Sequence, residues 1–111
     1  MRIAISAQGT DLDAPVDPRF GRAQYFVVID DQTGQISYID NRASANAGHG
    51  AGPNTASNIA NNNVNILITG NGPGGNAARV LASMGIQVYV GASGSVRQAY
   101  EDDKAGKLMR Q

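Results

Sequence analysis

The chain has 111 residues, the size of one domain and enough to bury a core without covalent staples. It contains no Cys, which excludes a disulfide framework, a thiolate metal site, Cys-ligated iron–sulfur binding and a Cys nucleophile. Lys and Arg together number 9 and so do Asp and Glu, so the net charge is +0 and no basic footprint for nucleic acid is present.

No apolar run approaches the ~20 residues of a membrane helix. Met1-Arg2-Ile3-Ala4-Ile5 enters a strand pattern at once, without an apolar signal core, which points to a cytoplasmic address. Charged residues make up 16%, below the usual ~25%, and 14 glycines are nearly twice the average share of ~7%. The loops are therefore bare and glycine-rich, and mobility is expected in them.

Ile3–Ala7 reads as the first strand. Residues 8–23 carry turn chemistry (Gly9, Asp11, Asp13, Pro15, Asp17, Pro18, Gly21) in a connection far longer than the usual ~4–6 residues. Tyr25–Asp30 is a second strand, rich in aromatic and β-branched residues. Asp31–Gly34 forms a hairpin turn, and Ile36–Asp40 alternates as a half-buried third strand. Residues 43–53 read as a loop of small side chains. Pro53 opens a helix that runs to about Ala60 and is stopped by Asn61-Asn62-Asn63. Val64–Thr69 is a fourth strand, followed by the glycine loop Gly70–Gly75. Ala77, Val80, Leu81 and Met84 recur at helical spacing up to Gly85. Ile86–Val90 is a fifth strand. Gly91–Gly94 leads to a last helix capped by Ser93 or Ser95 and ended by Gly106, in which Arg97 and Glu101 are spaced to pair.

The order β-β-β-α-β-α-β-α predicts a single α/β domain over 1–111. With strand two antiparallel to strand one, strands one, three, four and five run the same way. Their following loops then meet at the carboxyl edge of the sheet, where open α/β sheets bind ligands.

Between Arg42 and Arg79 lies a run of 36 residues without Asp, Glu, Lys or Arg. One reading is a surface that merely lacks charge. The sharper reading is an anion site built from backbone N–H groups and helix starts, with no carboxylate to repel the guest. Arg19 and Arg22 are the nearest cations, with a loop salt bridge to Asp11, Asp13 or Asp17 as their alternative role. Gly70-Asn71-Gly72-Pro73-Gly74-Gly75 matches the dinucleotide pattern G-x-G-x-x-G, but strand five ends in Gly91-Ala92-Ser93, where an acid for the ribose belongs. No Lys follows the glycines, so this is not a phosphate loop. Gly91–Ser95 approaches a nucleophile elbow, but the only His, His49, precedes it. A single His cannot build a metal cluster, yet in Gly48-His49-Gly50 it could offer one imidazole ligand.

The chain resembles the dinitrogenase iron–molybdenum cofactor-binding and biosynthesis family over roughly Arg2–Leu108. The resemblance rests on Asp17-Pro18-Arg19-Phe20-Gly21-Arg22 followed by Tyr25-Phe26, on His49-Gly50, and on Thr69-Gly70, Gly72-Pro73 and Asn76-Ala77. Gly85-Ile86-Gln87-Val88-Tyr89 and Gly106-Lys107-Leu108 complete it. Within that family it is most similar to the orange-protein branch of sulfate-reducing bacteria. The resemblance implies a ribonuclease H-like three-layer fold, a mixed five-stranded sheet with flanking helices. It also implies a carrier of a molybdenum–copper sulfide cluster, or of a related iron–molybdenum–sulfur cluster, that works with P-loop ATPases and has no turnover of its own. The chain departs from the family pattern in lacking a Cys or second His near His49 and in holding an extra Gly in Gly70–Gly75. Both departures fit a cluster that brings its own sulfides. Strand one carries no acid for a two-metal nuclease site, so nuclease activity is set aside. The expected site has Arg19, Phe20, Gly21 and Arg22 as a wall, and Gly70, Asn71, Gly72, Gly74, Gly75 and Asn76 as an amide cradle. His49 is an optional metal ligand, and Gly91, Ala92 and Ser93 form the rim. The alternative is a nucleotide- or phosphometabolite-binding module using the Gly70–Gly75 loop.

Overall fold

A computed structural model describes residues 1–111. Six strands form one sheet: β1 (Arg2–Ala7), β2 (Tyr25–Asp30), β3 (Ile36–Asp40), β4 (Ile66–Ile68), β5 (Gln87–Val90) and β6 (Met109–Arg110). Four helices, α1 (Arg42–Ala45), α2 (Ala51–Asn61), α3 (Gly75–Ser83) and α4 (Val96–Lys104), flank it. The strand order is β3-β2-β1-β4-β5-β6. β4 is parallel to β1 and to β5, whereas β2 is antiparallel to both β1 and β3. The carboxyl ends of β1, β3, β4 and β5 therefore share one edge.

Side-chain alternation splits the core in two. On one face Ala4, Phe26, Val28, Leu67 and Val88 meet Ala56 and Ile59 of α2 and Ala77 and Leu81 of α3. On the other face Ile3, Ile5, Val27 and Ile68 meet Val96 and Ala99 of α4 and Val16 of the β1–β2 loop. β1 lies in the middle and is buried on both faces from Ile3 to Ala7. No helix is long and apolar enough to cross a membrane.

The sheet has six strands where the sequence reading gave five. β6 is two exposed residues long, too short for any periodic signal. It forms because Gly106, at φ 73°, turns the chain back after α4. Tyr89 then pairs with Arg110, and the Gln111 N–H reaches Val88 O at 2.9 Å. A second difference lies in the loop read over residues 43–53. It contains the short α1, and α2 starts at Ala51, with Pro53 as its third residue. The first N–H groups of a helix have no partner within it, so Pro is tolerated there. β4 is shorter than Val64–Thr69. Ser95 rather than Ser93 caps α4, accepting from the Gln98 N–H at 3.1 Å. Arg97 pairs with Asp13 at 3.3 Å, not with Glu101, because the β1–β2 loop crosses the start of α4.

Candidate functional site

Close main-chain contacts gather the loops at the carboxyl edge. A Cβ on Gly70 would lie 2.7 Å from Pro18 Cα, so only glycine lets the β4–α3 loop settle on the β1–β2 loop. The Asn71 N–H bonds Pro18 O at 2.7 Å, and the Gly91 N–H bonds Gly70 O at 2.9 Å. Gly21 presses on the start of α2, where its Cβ would meet Gly52 N at 2.9 Å. Gly52 in turn faces Ala77 of α3, 3.6 Å from where its own Cβ would lie. Beneath this contact Ser6 Oγ joins Asp17 O at 2.6 Å and Thr69 Oγ1 at 2.9 Å.

The helix starts differ in kind. α4 has a side-chain cap, whereas the capping residues before α2 and α3 are Gly50 and Gly74, and no side chain accepts from either helix start. Neither has an acid in its first turn. The first-turn N–H groups of both helices therefore lack a cap; Gly75 and Asn76 are exposed, whereas Ala51 and Ala77 are buried and Gly52 N lies against Gly21. The partial positive ends of the two neighbouring helix starts add up. No Asp or Glu occurs between Asp40 and Glu101, so nothing in either helix or its preceding loop opposes an anion.

The two arginines differ as well. Arg19 Nε and Nη2 grip the wholly buried Asp17 carboxylate, each at 3.1 Å. That hydrogen bond, and then the charge of Asp17, raise Arg19 above its ordinary value. Its charge is answered within the loop. Arg22 has no carboxylate partner; its Nη1 donates to Ala45 O, at 2.9 Å, and to Ala47 O. It thereby braces the segment that carries His49, an exposed residue next to the Gly50 cap.

The expected site residues thus fall into groups. Arg22, His49, Gly74, Gly75 and Asn76 lie exposed around the two helix starts. Gly21 supports them from the neighbouring loop. Phe20 is in the core, its ring 5.8 Å from Phe26 and edge-on, so it presents no wall to a guest. The N–H groups of Asn71, Gly91 and Ala92 are already engaged within the fold, and Ala92 is buried. Gly72, at φ 81°, is covered by the Gln111 side chain and Val90, which leaves no open approach for a pyrophosphate there. Ser93 is exposed but lies toward α4, beside Gly94, whose carbonyl accepts from the Val16 N–H at 2.9 Å. Sequence reasoning missed the buried pair Asn41 and Thr55 under the site; polar residues near a helix start give no signal of burial. No cluster of three His, Cys, Asp or Glu side chains exists to hold a bare metal ion. Clefts in the surface include one of about 450 Å³ between α3 and β5–β6 that holds Arg110 and Gln111 and one of about 550 Å³ beside α1 that holds Asp40 and Arg42; neither is lined by the first residues of α2 or α3.

A profile of the dinitrogenase iron–molybdenum cofactor family matches residues 1–106. The chain belongs to this family. Among solved structures it is similar to the apo form of the orange protein from Desulfovibrio gigas, with 42% identity and a TM-score of 0.93 over 99% of this chain and 92% of that one. A candidate NifB protein from Thermotoga matches with 33% identity and a TM-score of 0.85, covering 98% and 91% of the two chains. An uncharacterized protein of Methanocaldococcus jannaschii is 35% identical, across 97% of this chain and 89% of its own. This member of the dinitrogenase iron–molybdenum cofactor family therefore shares the mixed, helix-flanked sheet of the orange protein. Family membership and that likeness suggest a role in binding a metal cluster.

Proposed function

We propose that this protein, as one domain over 1–111, binds and carries an anionic molybdenum-containing metal–sulfide cluster. The form suggested by the likeness to the orange protein is a molybdenum–copper sulfide, held without a covalent tether and without turnover. One observation carries the reading: the glycine-capped starts of α2 and α3 touch at Gly52 and Ala77 and leave their first N–H groups uncapped, those of exposed Gly75 and Asn76 among them. Sulfides accept hydrogen bonds, and bonds to charged groups contribute ~1.5–3 kcal/mol each. A thiometallate brings its own ligands, so a donor set without thiolate or carboxylate suits it. Arg22 adds a positive charge without a carboxylate partner, and exposed His49, next to the Gly50 cap, would offer one imidazole to the copper. The proposal extends to the cytoplasm as compartment and to P-loop ATPases as partners, both inferred from the sequence and its resemblance. The ribonuclease H-like class belongs to the same reading; the order β3-β2-β1-β4-β5 with β2 reversed supports it.

Titration with thiomolybdate and copper(I) under anaerobic conditions tests the reading. The expected result is a coloured, saturable 1:1 complex with a raised melting temperature, since ligand at 100 times Kd adds ~2.7 kcal/mol. The same donors suit phosphate. Saturable binding of nucleotides without metal or sulfide, and none of thiomolybdate, would replace the cluster reading with that of a phosphate-binding module.

A further inference from the structure

A buried polar hub lies under the start of α2. Asn41, after β3, and Thr55, one turn into α2, are both wholly buried. The Asn41 amide donates to Ala23 O and to Thr55 Oγ1, each at 2.9 Å. Its Oδ1 accepts from Asn58 Nδ2 at 3.1 Å, and Asn58 also reaches Ser44 Oγ of α1 at 3.3 Å. Thr55 Oγ1 lies 3.2 Å from Gly21 O and 3.2 Å from Asn41 Oδ1. A hydroxyl has one proton to give. Asn41 Oδ1 is already served by Asn58, whereas Gly21 O otherwise has only a long contact of 3.5 Å from Asn41 Nδ2. The proton therefore goes to Gly21 O, and the relay runs from Asn41 through Thr55 into the β1–β2 loop.

That bond orients a peptide plane. All peptide bonds are trans, so the C=O and the following N–H point in opposite directions. With Gly21 O drawn into the hub, the N–H of exposed Arg22 is turned away from it. The plane has little room to rotate, because Gly21 is pressed against Gly52. The same hub reaches α1 through Ser44, and the last carbonyl of α1 accepts from the Arg22 guanidinium. Main chain and side chain of Arg22 are thus set by one buried device.

We infer that Thr55, supported by Asn41, is the positioning residue of the anion site: its hydroxyl sets the Gly21–Arg22 peptide so that the Arg22 N–H joins the donors at the starts of α2 and α3. This rests on the cluster-binding reading above. The test uses thiomolybdate with copper(I), the whole chain, and ¹⁵N-labelled protein. In the wild type the Arg22 amide resonance shifts on saturation. Thr55→Val lowers affinity about tenfold, the effect of one hydrogen bond lost to an ionic acceptor. Thr55→Ser, which keeps the hydroxyl, restores most of it. Ile29→Val, which trims the opposite core, controls for stability and leaves affinity unchanged. Wild-type protein that binds no thiomolybdate overturns the cluster-binding reading. Wild-type protein that saturates while its Arg22 amide stays still, or a Thr55→Val variant of undiminished affinity, overturns this inference alone. The amide measurement decides even where Thr55→Val fails to fold.

Discussion

Arg19 and Arg22 stand three residues apart and do different work. Arg19 answers the buried Asp17 carboxylate, so Arg19→Ala strands a charge in the loop and is expected to lower the melting temperature more than the affinity. Arg22→Ala removes the cation without a carboxylate partner, together with its bonds to Ala45 O and Ala47 O, and is expected to weaken thiomolybdate binding with a smaller loss of stability than Arg19→Ala. Calorimetry and titration on both variants separate the two roles; equal losses of affinity would contradict the division. Phe20→Ala should behave as a core truncation and cost about 3–5 kcal/mol in denaturant unfolding. The pH response follows from groups away from the site. Asp40 is held below its ordinary value by Arg42, and Asp30 by the N–H groups of Gln32 and Thr33. Folded carboxylates with lowered values stabilise above the ordinary range, and that contribution fades as they are protonated. Asp103, raised by burial, works in the opposite sense. Stability should therefore fall below about pH 4, and Asp40→Asn should flatten the decline in urea midpoints.

At the scale of the element, the decisive features are two helices that lack what helices usually have. A side-chain oxygen at the cap and an acid in the first turn would stabilise α3, and neither is present. Gly74 has φ −74° and ψ 178°, with open space around its Cα, so any residue fits there. Gly74→Asp is expected to stabilise the protein by about 1 kcal/mol, from the cap, the helix dipole and reduced chain entropy. It should also abolish most thiomolybdate binding, because the new carboxylate occupies the donors and repels the anion. Rising melting temperature with lost affinity is the expected pair of readings; retained affinity would remove the helix starts from the site. Gly50 allows no such test, since its φ of 72° already demands glycine. Most elements were legible in the sequence because their signals are local: aromatic and β-branched residues in β2, helical spacing in α3, glycines with positive φ at positions 34, 85 and 106. α1 and β6 were not, because four residues and two residues are too few to show a period.

Across the whole molecule, a net charge of +0 hides a division. The acids lie on the β1–β2 loop, the β2–β3 hairpin with the end of β3, and α4, while α1, α2 and α3 carry none. An anion is therefore met by helix starts and Arg22 at α2 and α3, while the acids nearest that edge, Asp17 and Asp40, are paired with Arg19 and Arg42. The association rate with thiomolybdate should fall as ionic strength rises, because screening shortens the reach of that field. Stopped-flow traces at low and high salt measure it; a rate indifferent to salt would mean that the division does not guide the guest.

The residues alone determined five of the six strands, three of the four helices, the charge-free stretch and the likeness to a family, since each depends on neighbours within a few positions or on a motif read in order. They also determined that the loops after β1, β3, β4 and β5 meet at one edge, because strand directions follow from the order of elements. Tertiary structure decided which of the glycines there face a guest. Whether an N–H is free depends on an acceptor tens of residues away: Pro18 takes the Asn71 N–H, Gly70 takes that of Gly91, and Gln111 covers Gly72. The N–H groups at Gly75 and Asn76 stay open because nothing in the remaining chain comes back to cap them.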